Sequence, residues 1–126
     1  MHAAPVSVPS TSQLVLELFV RDLERACAFY EHLGFKRVGM HDRFVELSWE
    51  DHLLFLDERK DLPPPPAAGP RANVRVMVND VDAAWERAQA LGATVAQSIA
   101  NRSYGLRDFT IVDLDGFGVR FASRLT

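Results

Sequence analysis

From Val15 to Val20, the apolar residues Leu16, Leu18 and Val20 alternate with Val15, Glu17 and Phe19, and this pattern predicts a β-strand with one wholly apolar face. Asp22 follows as the N-cap of a predicted helix, because its carboxylate can accept from free backbone N–H groups of the first turn. Apolar residues then recur at helical spacing as far as Leu33, and Gly34 is expected to end the helix in a left-handed conformation. Further strands are predicted over residues 43–49 and 52–57, with a short strand within 37–42.

The same plan occurs twice, at a constant spacing of 58 residues. The first copy's Val20, Asp22, Ala26, Leu33 and Gly34 correspond to Val78, Asp80, Ala84, Leu91 and Gly92. The second copy predicts a strand over 73–78, a helix capped by Asp80, and strands near 94–97, 108–112 and 117–122. We therefore predict an α+β fold in which two βαβββ repeats form a curved mixed sheet with a cleft.

This plan predicts four segments along the chain. We expect a flexible N-terminal arm over residues 1–13, a first unit over 14–57, a Pro-rich linker over 58–72 and a second unit over 73–123, with both units in one domain. The linker contains the run Pro63–Pro66, and proline favours extended geometry because its φ is fixed and it lacks an N–H. A spacer is the preferred interpretation, and a docking ligand for a partner protein is the alternative.

Composition argues against several classes of protein. Of the 126 residues, 48% are hydrophobic and 25% charged, as in ordinary globular domains. The net charge of −3 argues against a nucleic-acid partner, and no apolar run approaches the ~20 residues of a membrane span. The N-terminus lacks the pattern of a secretory signal, and the single cysteine, Cys27, fits a reducing compartment. We expect a cytoplasmic protein that binds neither nucleic acid nor membrane.

Two motifs carry a resemblance to a known family. The first runs from Val20-Arg21-Asp22-Leu23 through Phe29-Tyr30 to Leu33-Gly34-Phe35. The second comprises Tyr104-Gly105-Leu106-Arg107-Asp108-Phe109, Asp113-Leu114-Asp115-Gly116 and Arg120-Phe121. In this order, on a repeated unit, they resemble the vicinal oxygen chelate (VOC) superfamily of glyoxalases, bleomycin-resistance proteins and dioxygenases over residues 14–123. The second half is most similar to the bleomycin-resistance branch.

The resemblance implies four positions at which enzymes of this superfamily hold a divalent metal. In this chain they are occupied by Val15, Phe55, Asn73 and Arg120. Valine and phenylalanine offer no donor atom, arginine stays protonated, and one amide does not make a site. We therefore predict no metal, no cofactor and no catalytic residue. Surface or packing roles are expected for His2, His32, His41 and His52, and a buried helical position for Cys27.

Strand parity and the resemblance together give candidate ligand-binding residues. They are Glu17, Phe44, Phe55, Arg75, Tyr104, Arg107 and Arg120. Tyr104 stands where the bleomycin-resistance branch has a tryptophan, and its ring could stack on a planar ligand. The three arginines favour an anionic or neutral ligand. Open alternatives are a Glu17–Arg75 pair, pairing of Arg120 with Glu46 or Asp108, and a core role for Phe55.

These observations predict a metal-free VOC-fold protein that binds a small molecule in a cleft at a dimer interface, with a sequestration role resembling that of bleomycin-resistance proteins. The resemblance also implies a homodimer, often formed by strand exchange between protomers. An enzyme of the glyoxalase family with an atypical site is the alternative. It would be a metal-dependent lyase or dioxygenase if the strand register differs, or a metal-free isomerase with Glu17 as base. A regulatory module with a vestigial pocket is a third possibility.

Overall fold

The structure is a computed structural model that describes residues 14–65 and 67–126. The expected arm over residues 1–13, and Pro66 of the proline run, lie outside the described residues. The chain divides between Pro63 and Pro64 into two compact units. Each unit contains one helix and a four-stranded sheet among its described residues.

The two units have the same order of elements. The first contains β1 (Leu16–Val20), α1 (Leu23–Leu33), β2 (Lys36–His41), β3 (Phe44–Trp49) and β4 (His52–Glu58); the second contains β5 (Asn73–Met77), α2 (Val81–Leu91), β6 (Thr94–Asn101), β7 (Leu106–Val112) and β8 (Gly118–Arg124). The sheet orders are β1-β4-β3-β2 and β5-β8-β7-β6. In each sheet the first strand runs parallel to the last, and the other neighbours are antiparallel. The predicted α+β fold of two βαβββ repeats is confirmed.

Each helix begins at a pair of acceptors supplied by its own unit. Asp22 and Asp80 accept hydrogen bonds from the backbone N–H three residues further on, at 3.2 and 3.1 Å. The first N–H of α1 donates to Glu58 Oε2 of β4 at 3.0 Å, and the first N–H of α2 donates to Ser123 Oγ of β8 at 3.1 Å. The last strand of each unit therefore helps to fix where its helix starts.

One face of each sheet is covered by the helix of that unit. In the second unit, the ring of Trp85 on α2 packs against Phe109 of β7, with the ring centroids 5.0 Å apart, and Phe109 stacks on Phe121 of β8. Because side chains alternate across a strand, Asp108 and Arg120 lie on the opposite face. We call this the helix-free face.

The first unit is built in the same way. Arg37 of β2 donates to Glu24 and Glu31 of α1, so α1 lies over the face to which Arg37 points. By strand alternation and register, the helix-free face of this unit carries Glu17, Phe19, Phe44, Glu46, Phe55 and Asp57.

Several strands extend beyond the predicted bounds, among them β7, which begins at Leu106, and β8, which ends at Arg124. β2 extends over Lys36–His41, and β6 continues to Asn101 with irregular pairing after Val95 and Gln97. These irregularities interrupt the alternation, so the sequence pattern is lost although pairing continues. His41 is the last residue of β2, and its Nε2 lies 3.3 Å from Glu46 Oε2.

Cys27 lies in the apolar face of α1 as expected. Its side chain is fully buried, and burial raises the pKa of the thiol to about 11. A thiol with such a pKa stays protonated at neutral pH, which suits a packing role. Within the described residues, no helix has the length and apolar character to cross a membrane.

Asp22→Ala should lower the free energy of unfolding by about 1 kcal/mol, because it removes an N-cap acceptor from α1. Asp22→Asn is the control, since an asparagine oxygen can accept the same hydrogen bond. Urea denaturation of the three proteins measures the effect. Equal losses in the two variants would contradict a capping role.

Candidate functional site

The strand register brings two predicted arginines together in the second unit. Arg75 of β5 lies opposite Arg120 of β8, and Arg120 lies opposite Thr110 of β7. In the first unit Glu17 lies opposite Phe55, which lies opposite Glu46. Phe55 and Arg120 therefore occupy equivalent positions in the two sheets, and so do Glu46 and Thr110.

A buried carboxylate organises the helix-free face of the second unit. Asp108 is fully buried, and its Oδ1 accepts from Arg102 Nε at 2.8 Å. Its Oδ2 accepts from the Tyr104 hydroxyl at 2.7 Å and lies 3.3 Å from Arg120 Nη2. Arg120 Nη2 also donates to the Tyr104 hydroxyl at 2.6 Å. The predicted partnership of Arg120 with Asp108 is thus present, and Arg102 and Tyr104 complete the cluster.

This cluster sets the protonation of its members. Burial by itself raises the pKa of Asp108, but the hydrogen bonds from Arg102 and Tyr104 and the charge of Arg120 outweigh burial, so the pKa is lowered from its ordinary value. The hydrogen bond to Asp108 raises the pKa of Tyr104. The hydroxyl of Tyr104 therefore stays protonated at neutral pH, where it acts as a donor and not as a base.

The ring of Tyr104 remains available although its hydroxyl is engaged. The residue is 54% exposed, and Arg120 Cζ lies 5.7 Å from the ring centroid. The two hydroxyl contacts hold the phenol end in place. A planar ligand could stack on the exposed ring beside a fixed cation.

Some polar groups of this face have no partner. In the part of the chain that the structure describes, the buried side-chain atoms without a hydrogen bond are Thr110 Oγ1 and Arg120 Nε. Thr110 is only 3% exposed. Arg75 is exposed, and its guanidinium makes no hydrogen bond or ion pair with any residue in 14–65 or 67–126. Among the described residues, side-chain groups without a partner therefore lie on three adjacent strands: Arg75 on β5, Arg120 on β8 and Thr110 on β7.

The first-unit candidates have a different environment. Phe44 and Phe55 are both buried, and their ring centroids lie 5.2 Å apart. A groove of about 780 Å³ is lined by residues that include Glu17, Phe44 and Asp57. The carboxylate of Asp57 is compensated, since Arg59 Nη2 donates to it at 3.2 Å.

Arg107 lies on the side of β7 that α2 covers. Its guanidinium donates to both carboxylate oxygens of Asp82 on α2, the shortest contact being 2.9 Å, and to Asn101 at 3.1 Å. The hydrogen bond between them raises the pKa of Arg107 and lowers that of Asp82. The structure therefore does not bring Arg107 together with Arg75 and Arg120.

The four positions at which the resemblance implies metal ligands are Val15, Phe55, Asn73 and Arg120. Val15 and Phe55 carry no donor atom, and the Arg120 guanidinium donates to Tyr104. The side-chain oxygen of Asn73 packs over Gly118, where a Cβ would overlap it. Among the described residues, no three His, Cys, Asp or Glu side chains are placed to hold a metal ion.

Sequence reasoning missed two members of this face and considered a third only as an ion-pair partner. Arg102 and Thr110 were not candidates, and Asp108 was weighed only as a partner for Arg120. The available signal was parity along β7, because Asp108 and Thr110 alternate with apolar Phe109 and Ile111. Polar residues in a strand that is buried on both faces indicate a polar network and not a solvated face.

Comparison with known proteins agrees with this architecture. The sequence model of the Glyoxalase/Bleomycin resistance protein/Dioxygenase superfamily matches residues 12–121. No curated protein sequence matches the chain significantly.

Solved structures with the same fold include TioX from Micromonospora sp. ML1, with 28% identity, a TM-score of 0.70, and coverage of 90% of this chain and 99% of that one. Hypothetical protein SA1046 from S. aureus has 25% identity and a TM-score of 0.74, covering 88% and 92%. A bleomycin resistance determinant encoded on the transposon Tn5 has 21% identity and a TM-score of 0.71, covering 89% and 97%. The likeness to this third protein concerns the fold alone.

Asp108→Asn should lower the free energy of unfolding at neutral pH by about 3 kcal/mol, because Arg102 and Arg120 lose their buried counter-charge. The pKa of Asp108 is lowered in the folded state, so its stabilising effect is complete above the unfolded-state pKa of about 4. The effect is lost as the pH falls through the folded-state pKa. The difference between wild type and variant should therefore shrink in acid.

Urea denaturation across this pH range measures the difference. Asp82→Asn, which breaks the exposed pair with Arg107, is the control and should cost less. A difference between wild type and Asp108→Asn that does not change with pH would contradict the assignment.

Proposed function

The chain belongs to the glyoxalase/bleomycin resistance protein/dioxygenase superfamily, and we propose that it is a metal-free member that binds a small aromatic molecule. The proposed role is sequestration of the ligand, as in bleomycin resistance, and not its chemical conversion. The observation that carries the proposal is the half-exposed Tyr104 ring beside Arg120, with the tyrosine hydroxyl fixed by Asp108. A rigid aromatic platform next to a cation suits a planar ligand.

The charge of this face narrows the class of ligand. Arg75, Arg102 and Arg120 outnumber the single carboxylate of Asp108. Such a face favours neutral or anionic molecules and disfavours cationic ones. We therefore propose that the ligand is not a cationic glycopeptide such as bleomycin, even if the protein acts in antibiotic resistance.

The surroundings of the site are also proposed from the family. We propose that the protein is a cytoplasmic homodimer, which forms its cleft at the interface with exchange of strands between protomers. In the first unit, we propose Phe44 and Phe55 as apolar contributors to ligand binding and Glu17 as an acidic one. The buried ring pair of Phe44 and Phe55 supports this apolar role.

Binding of neutral 2-naphthamide tests the proposal without involving charge. In EDTA-treated protein, NMR titration should detect binding, and Tyr104→Leu should weaken it about tenfold because the stacking surface is lost. Tyr104→Phe keeps the ring and is the matched control, with a smaller effect expected. Binding that requires added metal, or a chemical change in the bound molecule, would contradict the proposal. So would equal affinity in wild type and Tyr104→Leu.

A further inference from the structure

We propose that the helix-free face of the second unit contains a carboxylate-binding subsite formed by Arg75, Arg120 and the hydroxyl of Thr110. This inference rests on the proposed small-molecule function, and it specifies the chemical class of the ligand as an aromatic carboxylate. The carboxylate would lie between the two guanidinium groups, and the aromatic part would reach the ring of Tyr104. Strand register places Arg75, Arg120 and Thr110 on one face.

Two positive charges lie opposite each other on this face. Arg75 and Arg120 are register partners on the parallel strands β5 and β8, so their side chains emerge from the same face. Neighbouring strands are about 4.8 Å apart, and like charges directly opposite each other destabilise a sheet. An anion held between them would turn this repulsion into two favourable charge-assisted hydrogen bonds.

The Arg120 guanidinium is held in place by its neighbours, but one of its N–H groups is left without a hydrogen bond to the described residues. Its Nη2 contacts Tyr104 and Asp108, whereas its buried Nε has no partner among the described residues. A buried donor without a partner costs free energy, and a carboxylate oxygen would satisfy it. Asp108 thus orients Arg120 before any ligand arrives, which lowers the entropic cost of binding.

The side-chain hydroxyl of Thr110 likewise makes no hydrogen bond to the described residues. This residue is opposite Arg120 in the β7–β8 register, is nearly completely buried, and has no partner for Oγ1 in the described chain. A valine would fill the same space without an unsatisfied group. A hydroxyl at this position is therefore better explained by a hydrogen bond to a ligand than by packing.

The contacts of Asp108 and the neighbours of Arg120 define the charge and the surroundings of the proposed subsite. The contacts of the Asp108 carboxylate are with Arg102, Tyr104 and Arg120, and within the described residues it makes no contact with Arg75. On β8 the residues that flank Arg120 on the same face are Gly118 and Ala122, both buried and without a polar side chain, and the Asn73 side chain packs over Gly118. The exposed Tyr104 ring lies 5.7 Å from Arg120 Cζ, within the reach of an aryl carboxylate.

The test compares 2-naphthoate with 2-naphthamide, two probes of nearly equal shape that differ in charge. Wild-type protein should bind the carboxylate about tenfold more tightly than the amide. Arg75→Gln should abolish this preference, and Thr110→Val should reduce carboxylate affinity about fivefold with amide affinity unchanged. Arg87→Gln removes one positive charge from α2 of the same unit and is the control, with both affinities unchanged.

Thermal unfolding in anion-poor buffer separates binding from folding. Arg75→Gln and Thr110→Val should melt no lower than wild type, because each removes an unfavourable feature of the ligand-free face. Weaker carboxylate binding in proteins of unreduced stability is the supporting result. A purely structural role for these residues predicts the opposite, namely lower stability with unchanged affinity.

The remaining outcomes distinguish this inference from the proposed function. Equal affinity for the two probes, with binding still dependent on Tyr104, would overturn the carboxylate subsite and leave the function standing. Equal weakening by Arg75→Gln and Arg87→Gln would also overturn the subsite, since it would indicate attraction by net charge alone. Failure of both probes to bind up to their solubility limits would overturn the function and the subsite together.

Discussion

A carboxylate that is completely removed from water must be paired, because an isolated buried charge costs several kcal/mol. Asp108 meets this requirement with hydrogen bonds from Arg102 and Tyr104 and an ion pair with Arg120. These contacts determine where the tyrosine hydroxyl sits and which way the Arg120 guanidinium points. The buried Asp108 carboxylate therefore holds in place both the Tyr104 ring and the Arg120 guanidinium, whose Nε has no partner among the described residues. Removal of that charge would release the whole arrangement.

The two repeats share a backbone plan but have different helix-free faces. Where the second sheet has Arg120, Thr110 and Asp108, the register of the first has Phe55, Glu46 and Phe44. The buried aromatic pair of the first unit stabilises its sheet by packing. The polar cluster of the second unit adds specificity, and its unmet groups leave that face less stable than it could be. Duplication has thus kept the scaffold while the side chains on the two faces took separate roles.

The sequence predicted most of the fold because local and repeated signals agreed. Asp22 and Asp80 cap the helices, and the strands follow at the expected positions. Strand parity also placed Arg75 and Arg120 on one face, and the structure adds that they are register partners. It failed where the alternation is broken, as in β6, and where a motif carries no information about facing. Arg107 was chosen from its motif. It directly precedes Asp108 in β7, so its side chain lies on the opposite face, where it contacts Asp82 of α2. The burial of Thr110 could not be read from the sequence, since it depends on which surfaces cover β7.

We propose that Arg120, oriented by Asp108, donates its Nε–H to an anionic ligand. The most direct measurement is the side-chain Nε–H signals of the arginines in ¹⁵N–¹H NMR spectra during addition of 2-naphthoate. The account predicts that the Arg120 Nε–H signal moves strongly downfield as it gains a hydrogen bond, that the Arg75 signals shift with it, and that those of Arg87 and Arg107 stay in place. An unchanged Arg120 signal at saturation, with shifts confined to other arginines, would contradict it.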